Sequence, residues 1–149
     1  MYGHWDANLL VMVATVLAVA ASVLVHYEGL TLLSRGLARW HVSQRRRRVL
    51  YGICGVLMLH VAEIWIFGTA TWALLQVDNT GSIAGVHPVG LLDAVYMAAA
   101  TYTTVGFGDL APVGPIRFIA GTMAVVGFVL IGWSASFTYL EMVRDWREK

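Results

Sequence analysis

The stretch TYTTVGFGDL, residues 101–110, decides how the rest of the chain is read. It carries threonines, two glycines separated by Phe107, and then the carboxylate of Asp109, yet apolar segments flank it on both sides. Of the 149 residues, 58% are hydrophobic and only 13% charged, with a mean hydropathy of +0.69. That is more apolar surface than a soluble domain of this size can bury, and it points to an integral membrane protein. The single cysteine, Cys54, excludes a disulfide within the chain.

Three apolar segments, residues 9–25, 49–75 and 116–140, approach or exceed the roughly 20 residues that a helical membrane span requires. The first is short, and His26 and Tyr27 at the interface extend it. Arg35, Arg39 and the run Arg45, Arg46, Arg47 and Arg48 lie between the first two segments, opposed only by Glu28. Residues 76–115 hold Asp78, Asp93 and Asp109 but no lysine or arginine. The positive-inside rule then places the arginine loop in the cytoplasm, the N-terminus outside and the C-terminus inside. The run AVAA at residues 18–21 resembles a signal-cleavage site, but the sequence before the apolar segment is not basic, and cleavage would export the arginines. Ala14, Ala18 and Ala21 suit close helix packing in lipid instead. Four consecutive arginines point all round a helix, which suits an anchor for anionic lipid headgroups rather than a voltage sensor. Before them, Leu30, Leu33, Leu37 and Trp40 share a helix face and predict an amphipathic helix along the inner interface.

The outer connection is more than a polar loop. After His87 and Pro88 comes VGLLDAVYMAAATYT, with Pro88 expected in a first helical turn. Some 13 residues cannot cross a bilayer, so this segment reads as a re-entrant helix. The irregular backbone after it is tolerated at membrane depth only where protein buries it or where it lines water. Gly106 and Gly108 can take positive φ and turn successive carbonyls to one side. The carbonyls of Thr104, Val105, Gly106 and Phe107, with the Thr104 hydroxyl, then form an oxygen ladder able to replace the hydration shell of potassium. A simple turn at VGFGDLAP explains the glycines but not the threonines, the short helix and the flanking spans. A phosphate-binding loop lacks its third glycine, its lysine and a following βα unit.

The arrangement helix, HPVGLLDAVYMAAATYTTVGFGDL, helix resembles the pore module of potassium channels, and TTVGFGD matches that family's filter signature. The resemblance covers roughly residues 49–140. It implies an all-α membrane protein of the small prokaryotic type, with three transmembrane helices, a re-entrant pore helix over residues 89–101, a selectivity-filter loop and a homotetramer around one pore. By the same resemblance Thr104, Val105, Gly106 and Phe107 bind potassium, Gly108 and Asp109 support the filter, and Gly127 or Gly132 serves as an inner-helix gating hinge. Two departures concern the filter's support. Phe107 stands where many relatives have a tyrosine, so a bracing hydroxyl is missing, and MAAAT offers no carboxylate behind the filter. Asp93 lies near the pore helix's start, where its charge favours the helix dipole. The additional first helix is expected to pack peripherally against the outer helix.

The chain divides into a peripheral helix (residues 1–27), a basic interfacial segment (28–48), the pore module (49–140) and a short cytoplasmic tail (141–149). His60 and Glu63 lie mid-span at i and i+3, either as a hydrogen-bonded structural pair or as a proton-sensitive gating pair. Two ligands are too few for a metal site. The remaining histidines, His4, His26, His41 and His87, read as interfacial, and Cys54 as a small packing residue. No nucleophile, base and orienting group assemble by spacing, so no enzyme is expected. Neither a cofactor nor a nucleic-acid partner is expected, with potassium itself the permeant ligand. The reading is a potassium-selective channel of the cell membrane. A non-conducting accessory subunit with a pore-like fold, or a weakly selective monovalent cation channel, is the alternative.

Overall fold

The computed structural model describes residues 5–38 and 45–147. Of the residues singled out above, His4, Arg39, Trp40 and His41 lie outside the described ones. The elements are α1 (Trp5–Ala38), α2 (Arg45–Leu74), β1 (Ser82–Ala84), α3 (Leu91–Tyr102), β2 (Ala111–Val113) and α4 (Arg117–Arg147). Helices α1, α2 and α4 are each long and apolar enough to cross a membrane. At 1.5 Å per residue the 34 residues of α1 extend about 51 Å, well beyond a hydrocarbon core of about 30 Å.

α1 does not end near Val25 but continues unbroken to Ala38. The segment expected as a separate interfacial helix is therefore its last turns. Leu30 and Leu37 are buried there, and Leu33 lies against Gly55 of α2, where a β-carbon would come within 2.7 Å of its side chain. The physical reason is that Gly52 and Gly55 open a groove on α2 that takes these leucines, so their apolar face meets protein rather than lipid headgroups. Further up, Val11, Thr15, Ala18, Ser22 and His26 form a buried i, i+4 stripe, while Val16, Leu17 and Leu24 face outward at 65, 64 and 62% exposure. The small residues on the stripe let the backbones approach, and the exposed face is the one suited to lipid.

The arginine run opens α2 instead of preceding it. Arg48 is turned inward and pairs with Glu141 of α4 at 2.8 Å, which ties the basic end of α2 to the last turns of α4. Arg47 stays exposed. Cys54, expected in packing, is exposed as well.

The outer connection is closed by a two-stranded antiparallel ribbon that the sequence pattern did not predict. Ser82 pairs with Val113, Ile83 with Pro112 and Ala84 with Ala111. The Ile116 amide donates to the Thr80 carbonyl at 3.0 Å beside it, and Ile83 is buried beneath the ribbon. The ribbon joins the segment before α3 to the segment after the glycines. Between them α3 is surrounded on its inner side by Phe67 of α2 and Ile119 and Met123 of α4, packed on its own Ala94, Met97 and Ala98. α3 lies against α2 so closely that a β-carbon on Gly68 would come within 2.7 Å of the Val95 Cα.

Candidate functional site

α3 begins at Leu91, not in the Pro88 turn, with Gly90 as its N-cap. The Gly90 amide donates to Asp93 Oδ2 at 2.8 Å, so the carboxylate both satisfies an end amide and sits at the positive end of the helix dipole. Asp93, already expected there, acts on the helix start only.

At the other end, the helix closes with the Thr103 amide donating to the Ala99 carbonyl at 3.1 Å and the Thr104 amide to the Thr101 carbonyl at 3.0 Å. The Gly106 amide folds back to the Ala100 carbonyl, also at 3.0 Å. Positive φ then recurs at every second residue: Thr104 at 60°, Gly106 at 54° and Gly108 at 83°. The sequence led to the two glycines but not to Thr104. A β-branched residue in this region is strained, by about 1–3 kcal/mol. A β-carbon added at Gly106 or Gly108 would meet nothing within 4 Å, so these positions call for glycine through φ rather than through crowding. Residues 103–109 are exposed throughout, including Val105 at 55% and Phe107 at 71%.

Two sets of contacts hold this segment. On its outer side the Tyr96 hydroxyl donates to Asp109 Oδ2 at 2.8 Å, and the Tyr96 ring stacks on Phe107 with centroids 6.5 Å apart and planes 3° from parallel. A phenylalanine at position 107 cannot donate a hydrogen bond, but it lies on a tyrosine that does. Tyr96 was missed because nothing in the local pattern distinguishes it from any other aromatic residue on an apolar helix.

On the inner side the contact is with Tyr102, the last residue of α3, which is fully buried. A β-carbon on Gly127 of α4 would collide with the Tyr102 carbonyl oxygen, so Gly127 gives α3 room to seat. α4 continues unbroken through both Gly127 and Gly132. The Tyr102 hydroxyl donates to Glu63 Oε2. His60 Nδ1 lies 3.0 Å from that oxygen and 3.0 Å from the Tyr102 hydroxyl. The other oxygen, Glu63 Oε1, is 2.7 Å from His26 Nδ1 of α1.

His26 is thus fully buried in the middle of α1, not at an interface. The reading that placed it at an end depended on the first span stopping at Val25. MAAAT contributes no carboxylate, but Glu63 of α2 brings one to Tyr102 across 39 positions of sequence. Donor atoms of His26, His60 and Glu63 lie within 4.8 Å of one another, near enough for a cation, but both Nδ1 atoms and both carboxylate oxygens already hydrogen-bond among themselves. With both imidazoles carrying Nδ1–H, the carboxylate is satisfied as an acceptor. Ser134 Oγ of α4 lies 3.5 Å from His26 Nε2, and the Trp133 ring is 5.3 Å from the His26 ring.

Below the glycine segment a hollow of about 460 Å³ is lined by Thr103 and Thr104 and, from α4, Phe128, Ile131, Gly132 and Ala135. Gly132 therefore faces this space, whereas Gly127 is packed under α3. The structure brings residues 104–109 into one exposed segment and sets His60 and Glu63 against Tyr102, the residue before Thr103.

A membrane-spanning helix, a re-entrant helix, a glycine segment with alternating φ and a second spanning helix define a pore-loop membrane protein. The ion channel family matches this chain over residues 49–143, and the chain belongs to that family. It is 30% identical over 121 residues to Potassium channel subfamily K member 2 of Homo sapiens, an alignment covering 80% of this chain and 26% of that protein. It is 32% identical over 76 residues to Protein LctB of Geobacillus stearothermophilus, covering 51% of this chain and 57% of that protein. It is 36% identical over 66 residues to Two pore potassium channel c of Oryza sativa subsp. japonica, covering 44% and 13%. The chain spans about a quarter of the length of the human relative. No solved structure matches it. Family membership places it among membrane channels rather than enzymes.

Proposed function

We propose that this chain forms a potassium-selective channel, a homotetramer in which four copies of residues 104–107 surround one axis. The observation that carries the reading is the positive φ at Thr104, Gly106 and Gly108, alternating through TTVGFGD between α3 and α4. Alternation of backbone handedness is the condition under which successive carbonyls turn to one side instead of alternating as in a strand. The carbonyls of Thr104, Val105, Gly106 and Phe107, with the Thr104 hydroxyl, then replace water around a dehydrated potassium ion, while Gly108 and Asp109 secure the outer end. One chain supplies one strand of such a cage, and closure about a symmetry axis supplies the rest.

Two further features support the reading. The C-terminus of α3, where the helix dipole is negative, ends at Thr103 and Thr104 on the rim of the hollow, a placement that favours a cation there. The exposed Val105 and Phe107 acquire neighbours when four copies meet. In the same reading the N-terminus lies outside and the C-terminus on the cytoplasmic side of a cell membrane, with the arginine run at the anionic headgroups. Gly132, facing the hollow, is the better-placed hinge of the two α4 glycines. His60 and Glu63 act on the filter from behind.

Reversal potentials of the purified chain in liposomes, under opposed potassium and sodium gradients, test this. The expected result is a potential close to the potassium equilibrium value. A chain that inserts but passes no current returns the accessory-subunit alternative, and a potential near zero returns the weakly selective one.

A further inference from the structure

α1 is the element with no evident part in conduction, yet its buried stripe ends on a histidine that reaches toward the filter. We propose that His26 of α1 is a positioning residue for the selectivity filter, acting through Glu63 on Tyr102. The proposal rests on the channel reading above and adds to it the residues that hold the filter's inner end.

The geometry is a relay across three helices. Tyr102 immediately precedes Thr103 and the strained Thr104, and its own carbonyl is pressed onto Gly127 of α4. Its hydroxyl is held by Glu63 Oε2. Glu63 has no exposed surface, and its two oxygens face different helices: Oε2 meets Tyr102 of α3 and His60 of α2, whereas Oε1 meets His26 of α1, at 2.7 Å. His60, three residues away on the same helix, joins the carboxylate to Tyr102 of α3. His26 ties it to α1 and α4, because it is itself wedged between Glu63 and the Trp133–Ser134 pair of α4.

Two physical arguments make the relay act as a unit. At membrane depth, away from water, each polar group depends on the partners within the protein, and removing one strands the next. A filter of backbone oxygens also works only within a narrow geometric tolerance, of order 0.5 Å for a preorganised site. Without His26, Oε1 loses its partner and the carboxylate is held through Oε2 alone, so the acceptor of Tyr102 is less firmly fixed at the point where α3 hands over to the filter. A further helix placed outside the pore module thereby bears on selectivity, with no contact to the ion path.

The test is the potassium-to-sodium permeability ratio of the full chain in liposomes, with tetramer elution and thermal unfolding measured alongside. His26→Ala and Tyr102→Phe are each expected to lower the ratio about tenfold, the scale of one charge-assisted hydrogen bond. The double variant should be no worse than either single one, since both break the same chain of contacts. His26→Asn, whose amide N–H stands near the place of Nδ1–H, should restore most of the ratio. Ser22→Ala should leave it unchanged: this buried hydroxyl on the same face of α1 has no hydrogen-bond partner among the described residues. Should His26→Ala fail to assemble, Tyr102→Phe, which preserves ring and volume, and Glu63→Gln carry the same measurement. Assembled variants with the wild-type ratio, or single effects that add in the double variant, overturn the proposal alone. A wild-type chain without potassium preference overturns the channel reading and this proposal with it.

Discussion

The two ends of the glycine segment are held in opposite ways. The outer end is secured by near neighbours: Tyr96 bonds Asp109 across 13 positions, Phe107 stacks on the same Tyr96, and a short ribbon closes the base of the loop. Tyr96, Phe107 and Asp109 are exposed, and each contact is made within residues 82–113. The inner end is secured by Gly127, Glu63 and His26, from three separate helices, all buried. Exposed contacts exchange with water at little cost, whereas buried polar contacts leave stranded groups when one is lost. The inner end is therefore expected to be the stiffer of the two, and substitutions at the two ends separate the effects.

The largest effect lies in the backbone itself rather than in either set of side-chain contacts. Gly108→Ala places a β-carbon on a residue at φ 83°, which costs about 1–2 kcal/mol and favours a different backbone state. Loss of potassium preference in reversal-potential measurements is the expected outcome, and an assembled variant with unchanged preference breaks the alternating-φ account. Next comes Gly127→Ala. Because the new methyl group collides with the Tyr102 backbone, the expected cost is about 1–3 kcal/mol of stability, read as a lower unfolding temperature in detergent. If Gly127 were instead only a hinge, opening kinetics would change while the unfolding temperature held. That comparison decides which task the glycine has.

A smaller loss is expected at the outer end. Tyr96→Phe retains the ring stacked on Phe107 but removes the hydroxyl that Asp109 accepts from, a net contribution of about 0.5–1.5 kcal/mol. Faster decay of current during sustained opening, with the permeability ratio nearly intact, would mark the outer contact as a matter of filter durability. A ratio as reduced as that of Tyr102→Phe would erase the distinction between the two ends. The smallest effect belongs to Asp93→Ala, which leaves the Gly90 amide without its acceptor and should lower stability by about 0.5–1 kcal/mol. Thermal unfolding resolves this, and no change in selectivity should accompany it.

What could be read from the sequence follows the range of the interactions involved. The spans were legible because a bilayer demands some 20 apolar residues in succession, and composition records that directly. The glycine segment was legible because positive φ favours a particular residue type, so Gly106 and Gly108 announce themselves. Asp93 was legible as a charge at a helix start, three residues from the amide it receives. All of these are local. By contrast, the end of α1 was misread because His26 and Glu28 follow Val25 and interrupt the apolar pattern, while Leu33 and Leu37 beyond them found a groove on α2 that only the packed helices create. His26 was assigned to an interface for the same reason.

The sequence by itself thus determined that the chain spans a membrane, where a pore loop interrupts it, and which residues can line that loop, since these depend on residue type and short spacing. Tertiary structure alone decided what stands behind the loop. It set Glu63 against Tyr102, brought His26 to Glu63 from another helix, turned Arg48 toward Glu141, and made Gly127 a seat for α3. The physical reason is that a buried polar group specifies only that it needs a partner. Which one it receives is settled by helix packing, over separations of 37 to 93 positions that no local pattern encodes.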